Sequence, residues 1–195
     1  MQETLKYYDQ NAEMFIAGSL GIDMSETRSR FVAYLPNKAY VLDFGCGSGR
    51  DTKAFLDMGF CVEATDGSGE LCARASEYTG IQVKKMMFHE LNAHEKYDGI
   101  WACASILHLP KAELAEVIGK IEAALKTGGV LYTSFKYGNS EGIVNGRYFT
   151  YFTEKTLNEF LKNVTSLQIL DMWITRDVRP DRKGERWVNI LTRRI

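Results

Sequence analysis

Apolar residues recur along this chain in two alternating patterns, short runs and helical spacings, and the alternation predicts its architecture. Residues 41–44, VLDF, form a short apolar run ending in glycines, the mark of a buried strand. Residues 50–58 are helical in pattern, with Gly59 as a C-terminal cap. A second strand is expected at 61–65, a helix over 71–78, a third strand within 81–88 and a fourth at 98–103. Pro110 opens a helix that carries Leu114, Val117, Ile118, Ile121 and Leu125 on one face. The turn KTGG at 126–129 leads into a fifth strand at 130–135. Strands separated by helices of this length predict a parallel sheet with right-handed crossovers.

The last third changes character. Thr153 is placed to cap a helix bearing Leu157, Phe160, Leu161 and Val164. Strands are expected near 167–175 and 187–192. The polar stretch 176–186, with Pro180 and Gly184, does not suit a helix, so these strands should pair as an antiparallel hairpin.

Composition narrows the class. A chain of 195 residues, 45% hydrophobic and 25% charged, fits one globular domain. No apolar run approaches the roughly 20 residues that span a bilayer. The N-terminal MQET has neither a basic start nor an apolar signal core, so a cytoplasmic protein without a membrane partner is expected. A net charge of -1 argues against a surface built to grip nucleic-acid phosphates, although a local basic patch stays open. Cys46, Cys61, Cys72 and Cys103 form no C-x-x-C pair, which argues against a metal site, and Cys61 and Cys103 are expected as buried thiols.

The sharpest motif is VLDFGCGSG at 41–49, a glycine loop between strand and helix. Gly45 and Gly47 permit tight turning and close backbone approach. A dinucleotide fingerprint would need its third glycine at position 50, where Arg50 stands; here it comes early, at Gly49. A P-loop would need Gly-Lys-Ser/Thr, which is absent. Asp43 is placed to order the turn and to accept from a cofactor amino group, a use that suits a cationic amino-acid tail better than a pyrophosphate. Asp66, ending the second strand, is placed to accept two ribose hydroxyls, or else to cap the turn Gly67-Ser68-Gly69.

With these residues the chain resembles the class I S-adenosylmethionine-dependent methyltransferases, and most of all the small stand-alone bacterial kind related to the tellurite-resistance methyltransferase group. The likeness covers nearly the whole chain: VLDFGCGSGRD at 41–51, Asp66, MMFHEL at 86–91, YDGIWACASILHLP at 97–110 and LKTGGVLYTSFKYG at 125–138. The resemblance implies an α/β fold, a Rossmann-like seven-stranded sheet of order 3-2-1-4-5-7-6 with strand 7 antiparallel and helices on both faces. It implies a single domain, with 1–35 as a helical cap and 36–195 as the core. Many relatives carry an acid before the phenylalanine of the third-strand motif. Met87 stands there instead, so adenine recognition is expected from backbone groups and the flanks of Met87 and Phe88. The cofactor set implied is Tyr8, Phe15, Asp43, Gly45, Cys46, Gly47, Asp66, Gly67, Met87, Phe88, Cys103 and Ser105, the last two through backbone atoms.

Other candidates are weighed residue by residue. Tyr7, Tyr8 and Phe15 either close over the cofactor or pack an amphipathic helix on the core. His108, after the fourth strand, is a candidate general base, with a structural role as the alternative. The stretch 134–153 is long for a strand-to-helix connection. Its Lys136, Arg147, Tyr148 and Tyr151 are candidate acceptor contacts, and Arg147 suits a carboxylate or phosphate. The basic turn with Arg176, Arg179, Arg182, Lys183 and Arg186 is interleaved with Asp177, Asp181 and Glu185, and reads as solvated. The expected reaction is methyl transfer from S-adenosylmethionine to a small-molecule acceptor, with a nucleic acid or protein acceptor left open. A noncatalytic S-adenosylmethionine-binding module and a nicotinamide-dependent oxidoreductase are the alternatives.

Overall fold

The computed structural model describes residues 2–179, 182 and 184–195. Helices α1 (Gln2–Gln10), α2 (Ala12–Ser19) and α3 (Ser25–Val32) precede the sheet. The alternating part follows as β1 (Tyr40–Phe44), α4 (Arg50–Asp57), β2 (Cys61–Asp66), α5 (Gly69–Thr79), β3 (Lys84–Lys85), β4 (Tyr97–Ala102), α6 (Lys111–Ala124) and β5 (Leu125–Tyr137). The chain closes with β6 (Glu141–Val144), β7 (Arg147–Phe152), α7 (Glu154–Val164), β8 (Gln168–Arg176) and β9 (Arg186–Arg193).

β1 lies between β2 and β4, all parallel, with β3 beyond β2 and β5 beyond β4. β9 then pairs antiparallel with β5 over 130–136, and β8 pairs antiparallel with β9. Leaving out β6 and β7, these strands in chain order read 3-2-1-4-5-7-6 with the last antiparallel, as the resemblance implies. Side chains alternate across the strands. Leu42, Ile100 and Leu131 pack with Leu114, Ile118 and Leu157 of α6 and α7 on one face. Val41, Trp101 and Tyr132 pack with Phe31 and Phe55 of α3 and α4 on the other. Thr153 caps α7 by accepting from the Thr156 N–H.

Three expectations need correction. The sheet has nine strands, because 134–153 is not an irregular connection: β6 and β7 form a hairpin whose second strand joins the end of β5 at Lys136 and Tyr137. Its turn is Asn145-Gly146, both residues at positive φ, 50° and 76°, the backbone that two-residue hairpin turns require. The third strand is only Lys84–Lys85, since Met86 still donates to the Asp66 carbonyl but Met87 donates to the Glu90 carboxylate and starts a 3₁₀ turn. Cys61, at the start of β2, is exposed, while Cys103 is partly buried. Pro180, Asp181 and Lys183 of the basic turn lie outside the described residues. Among the described residues no helix is long and apolar enough to cross a membrane.

Candidate active site

The carboxyl ends of β1, β2, β4 and β5 open onto a cavity of about 370 Å³. It sits where the chain leaves the neighbouring strands β1 and β4 toward opposite faces of the sheet, the position at which open parallel sheets bind ligands. Its floor is the glycine loop. The Gly45 and Cys46 N–H groups both donate to the Thr65 carbonyl at 2.9 Å, which ties the loop to β2. Gly45 has φ 82°, and a Cβ there would stand 2.5 Å from that of Ser105; Gly47 has φ 57°, and its Cβ would stand 2.9 Å from the Phe15 ring. A side chain at either position would fill the space the loop leaves open.

Three aspartates surround this floor, each already engaged. Asp66 accepts the Gly47 and Ser68 N–H groups, both at 2.9 Å, so it clamps the loop and caps the following turn at once. Burial raises its pKa. Asp43 accepts from the Thr52 hydroxyl at 2.6 Å, and burial, with Asp51 nearby, pushes its pKa up to about 7. Asp51, absent from the sequence reading, accepts from Arg28 at 2.6 Å, Arg50 at 2.6 Å and Trp101 Nε1 at 3.1 Å. Burial opposes its charge, but the two arginines prevail and lower its pKa. Through Arg28 this cluster also anchors α3 over the cavity.

The N-terminal helices form the roof. Phe15 lies on Gly47, Leu5 on Gly67, and Tyr8 packs edge-on against Phe15 with centroids 5.1 Å apart. The Tyr8 hydroxyl meets His108 Nε2 at 2.9 Å. His108 Nδ1 faces the Tyr148 carbonyl at 2.6 Å; a carbonyl only accepts, so Nδ1 carries the proton and Nε2 accepts from Tyr8. Burial, with Arg147 and Lys136 also nearby, drops the His108 pKa to about 4. Thr4 accepts the Tyr148 N–H at 3.0 Å, which fastens α1 to β7.

Every residue of the implied cofactor set lines this one cavity, as do His108, Lys136 and Arg147. Ser105 does more than present backbone: its hydroxyl donates to the Phe44 carbonyl at 2.7 Å and fixes the end of β1. Cys103 is partly buried, and desolvation lifts its thiol pKa to about 12. Next to it Ala104 takes a positive φ of 49° and donates to Ser134 Oγ at 2.9 Å, a strained turn that the sequence does not advertise. Tyr148 and Tyr151 do not line the cavity. Strand geometry separates Tyr148 from its neighbours Arg147 and Phe149, and Tyr148 serves through its backbone instead. Tyr151 borders a separate surface recess beside Lys111 and Asn139.

The far wall was largely missed. Phe149, Trp187 and Asn189 line it, and so do Arg176, Asp177 and Arg179 of the turn expected to be solvated. Asp177 is drawn inward because it accepts from Arg179 Nε at 2.8 Å and from Trp187 Nε1 at 3.0 Å. Burial works against its charge, yet these donors hold its pKa at about 2. Asn189 accepts from the Tyr132 hydroxyl at 2.8 Å and donates to Thr175 Oγ1 at 3.0 Å. Lys136 meets Glu185 at 2.6 Å and lies over the Phe149 ring at 4.8 Å. These residues come from β5, β7, β8, β9 and the turn between the last two and carry no motif, so only their assembly reveals them.

The sheet order and the glycine-floored cavity define a Rossmann-like fold of the methyltransferase kind. Residues 41–129 match the family described as methyltransferase domain. Over those residues the chain carries a methyltransferase domain, with S-adenosylmethionine as its cofactor. Among solved structures it is similar to the 1,6-didemethyltoxoflavin-N1-methyltransferase of Burkholderia thailandensis, with 24% identity, 97% of this chain and 84% of that one covered, and a TM-score of 0.76. That enzyme holds 1,6-didemethyltoxoflavin and S-adenosylhomocysteine. A TehB-like S-adenosylmethionine-dependent methyltransferase from Corynebacterium glutamicum is 18% identical, with 98% of each chain covered and a TM-score of 0.71. The [4+2]-cyclase SpnF is 16% identical, with 97% of this chain and 94% of that one covered and a TM-score of 0.72. No protein of curated function matches the chain by sequence.

Proposed function

We propose that the protein transfers the methyl group of S-adenosylmethionine to a small-molecule acceptor held in the same cavity. The observation that carries this reading is the continuity of that cavity, from the glycine loop and Asp66 to Lys136 and Arg147. The chain works as one domain, with 1–35 as the roof and 36–195 as the core. Asp43, Gly45, Cys46 and Gly47 form the cofactor floor. Asp66 and Gly67 take the ribose, with lone pairs of the carboxylate to spare beyond Gly47 and Ser68. Met87 and Phe88 flank the base, Cys103 and Ser105 close the inner wall, and Tyr8 and Phe15 cover from above. Lys136 and Arg147 face the acceptor, and Tyr148 holds His108 in place through its carbonyl. The small-molecule acceptor of the Burkholderia enzyme supports the choice of acceptor class, and the Corynebacterium structure supports a place in the TehB-like group.

When bound, S-adenosylmethionine supplies an electrophilic methyl, so the chain must align a nucleophile and exclude water. Phe15 and Tyr8 shield the loop from solvent, and Arg50, Arg28 and Asp51 hold the roof to the floor. Calorimetric titration tests the reading, with S-adenosylmethionine and S-adenosylhomocysteine expected to bind more tightly than NADH. Equal or tighter NADH binding would overturn it. Release of S-adenosylhomocysteine with a panel of small acceptors then separates an enzyme from a noncatalytic binder.

A further inference from the structure

Arg147 lines the cavity without an answering charge among the described residues. The guanidinium carbon of Arg147 lies 4.5 Å from the Tyr7 ring centre, 5.1 Å from that of Phe149 and 5.9 Å from that of Tyr8. Its Nε is shut off from solvent without a hydrogen-bond partner, and Arg147 forms no ion pair among the described residues. The Tyr8 hydroxyl hydrogen-bonds to the guanidinium, and ring faces attract the cation, but neither satisfies the Nε donor or supplies a counter-charge. The guanidinium donors form a flat fork, and a flat group with paired acceptors matches it.

The groups nearby that take protons are all engaged. His108 has its basic nitrogen against the Tyr8 hydroxyl, Glu185 is paired with Lys136, and Asp177 is held by Arg179 and Trp187. An acceptor arriving with an acidic proton would find no unengaged base in this half among the described residues, whereas one arriving already ionised would answer the charge of Arg147.

We propose that the acceptor is a planar anion, an aromatic or conjugated molecule bearing a carboxylate or a comparably delocalised oxyanion, recognised edge-on by Arg147 with Lys136 as the second cation. The inference rests on the methyltransferase reading above. A nucleophilic atom of the anion forms the bond to the methyl carbon while the carbon–sulfur bond breaks and its electron pair stays on sulfur. No proton moves in that step, because the acceptor lost its acidic proton to solvent before binding.

The test uses benzoate as a planar anionic probe and benzamide as its neutral isostere. Each is titrated into the intact protein, with and without saturating S-adenosylhomocysteine, and followed by tryptophan fluorescence, since Trp187 lines the cavity. Benzoate is expected to bind at least about tenfold more tightly than benzamide, the discrimination that one charged hydrogen-bonded pair supplies. Arg147→Met should erase that preference without changing S-adenosylhomocysteine affinity, and Arg147→Lys should keep part of it. Equal binding of the two probes to the unaltered protein overturns the proposal, and so does a preference that survives in Arg147→Met. Failure to bind S-adenosylhomocysteine overturns the methyltransferase reading instead, and the probe comparison in the free protein is still decisive for Arg147.

Discussion

Around the glycine loop Asp43, Asp51 and Asp66 all have hydrogen-bond partners, whereas in the half of the cavity bounded by β5, β7 and β9 the buried Nε of Arg147 has none, and Arg147 has no ion pair among the described residues. The first half is held by backbone N–H groups and short-range contacts, so its geometry is set before any ligand arrives. The second half is put together from α1, β5, β7, β8 and β9, and its charges answer one another only in part. A fixed half suits a constant cofactor; a half built from interchangeable pieces suits an acceptor that differs between proteins sharing the fold. Tyr8 and His108 stand at the seam.

The largest effect is expected at that seam. Folded His108 takes its proton only near pH 4, against 6.5 for the free side chain, because it is buried beside Arg147 and Lys136. Between those values the unfolded chain holds the extra proton, so this stabilisation is complete above pH 6.5 and is lost as pH falls toward 4. The shift corresponds to about 3 kcal/mol. Denaturant unfolding from pH 7 down to pH 4 should show a steeper loss in the native protein than in His108→Gln. Parallel curves would mean that the seam is open to water and the two halves are not separated there.

Asp66→Ala strikes the fixed half. Loss of charged hydrogen bonds worth about 1.5–3 kcal/mol should weaken S-adenosylhomocysteine binding roughly tenfold to a hundredfold by calorimetry. The Gly47 and Ser68 N–H groups lose their acceptor too, so the melting temperature should also fall. A lower melting temperature with unchanged affinity would make Asp66 a strut of the fold alone.

Tyr8→Phe removes the donor to His108 and keeps the ring against Phe15. Thermal unfolding should register a loss of about 1–3 kcal/mol, since the buried His108 Nε2 is left without a donor. A larger loss would show that Tyr8 braces both halves. The smallest effect is expected at Tyr151, which lies outside the cavity: Tyr151→Phe should leave cofactor affinity unchanged and stability within about 0.5 kcal/mol. A change in acceptor turnover there would extend the variable half beyond β7's cavity-facing residues.

The fixed half was also the legible one. Gly45, Gly47 and Asp66 act through local geometry, and local geometry leaves a spacing in the sequence. The alternation of strands and helices followed from apolar periods and the closing hairpin from the polar stretch 176–186, whereas the order of the sheet came with the family resemblance. Asp51 escaped notice because its role depends on Arg28 and Trp101, which are remote in sequence. The β6–β7 hairpin did leave a signal, Asn145-Gly146, but polar residues and further glycines around it obscured the strands. Trp187 and Asn189 left none, since single residues on a strand have no pattern until the partner strands are placed. The turn at 176–186 looked solvated because its charges alternate, yet Asp177 is drawn inside by Trp187 and Arg179.

The hairpin joins the sheet through only two paired positions on β5, Lys136 and Tyr137, and turns on two residues whose side chains the cavity does not use. Elsewhere it is held by single contacts rather than by a ladder: Tyr148 to Thr4 and His108, and Thr150 to the Leu109 carbonyl. Arg147 is thus mounted on an appendage that shares no register with β1, β2 or β4, yet any exchange of that appendage would tug on the roof and on His108 as well.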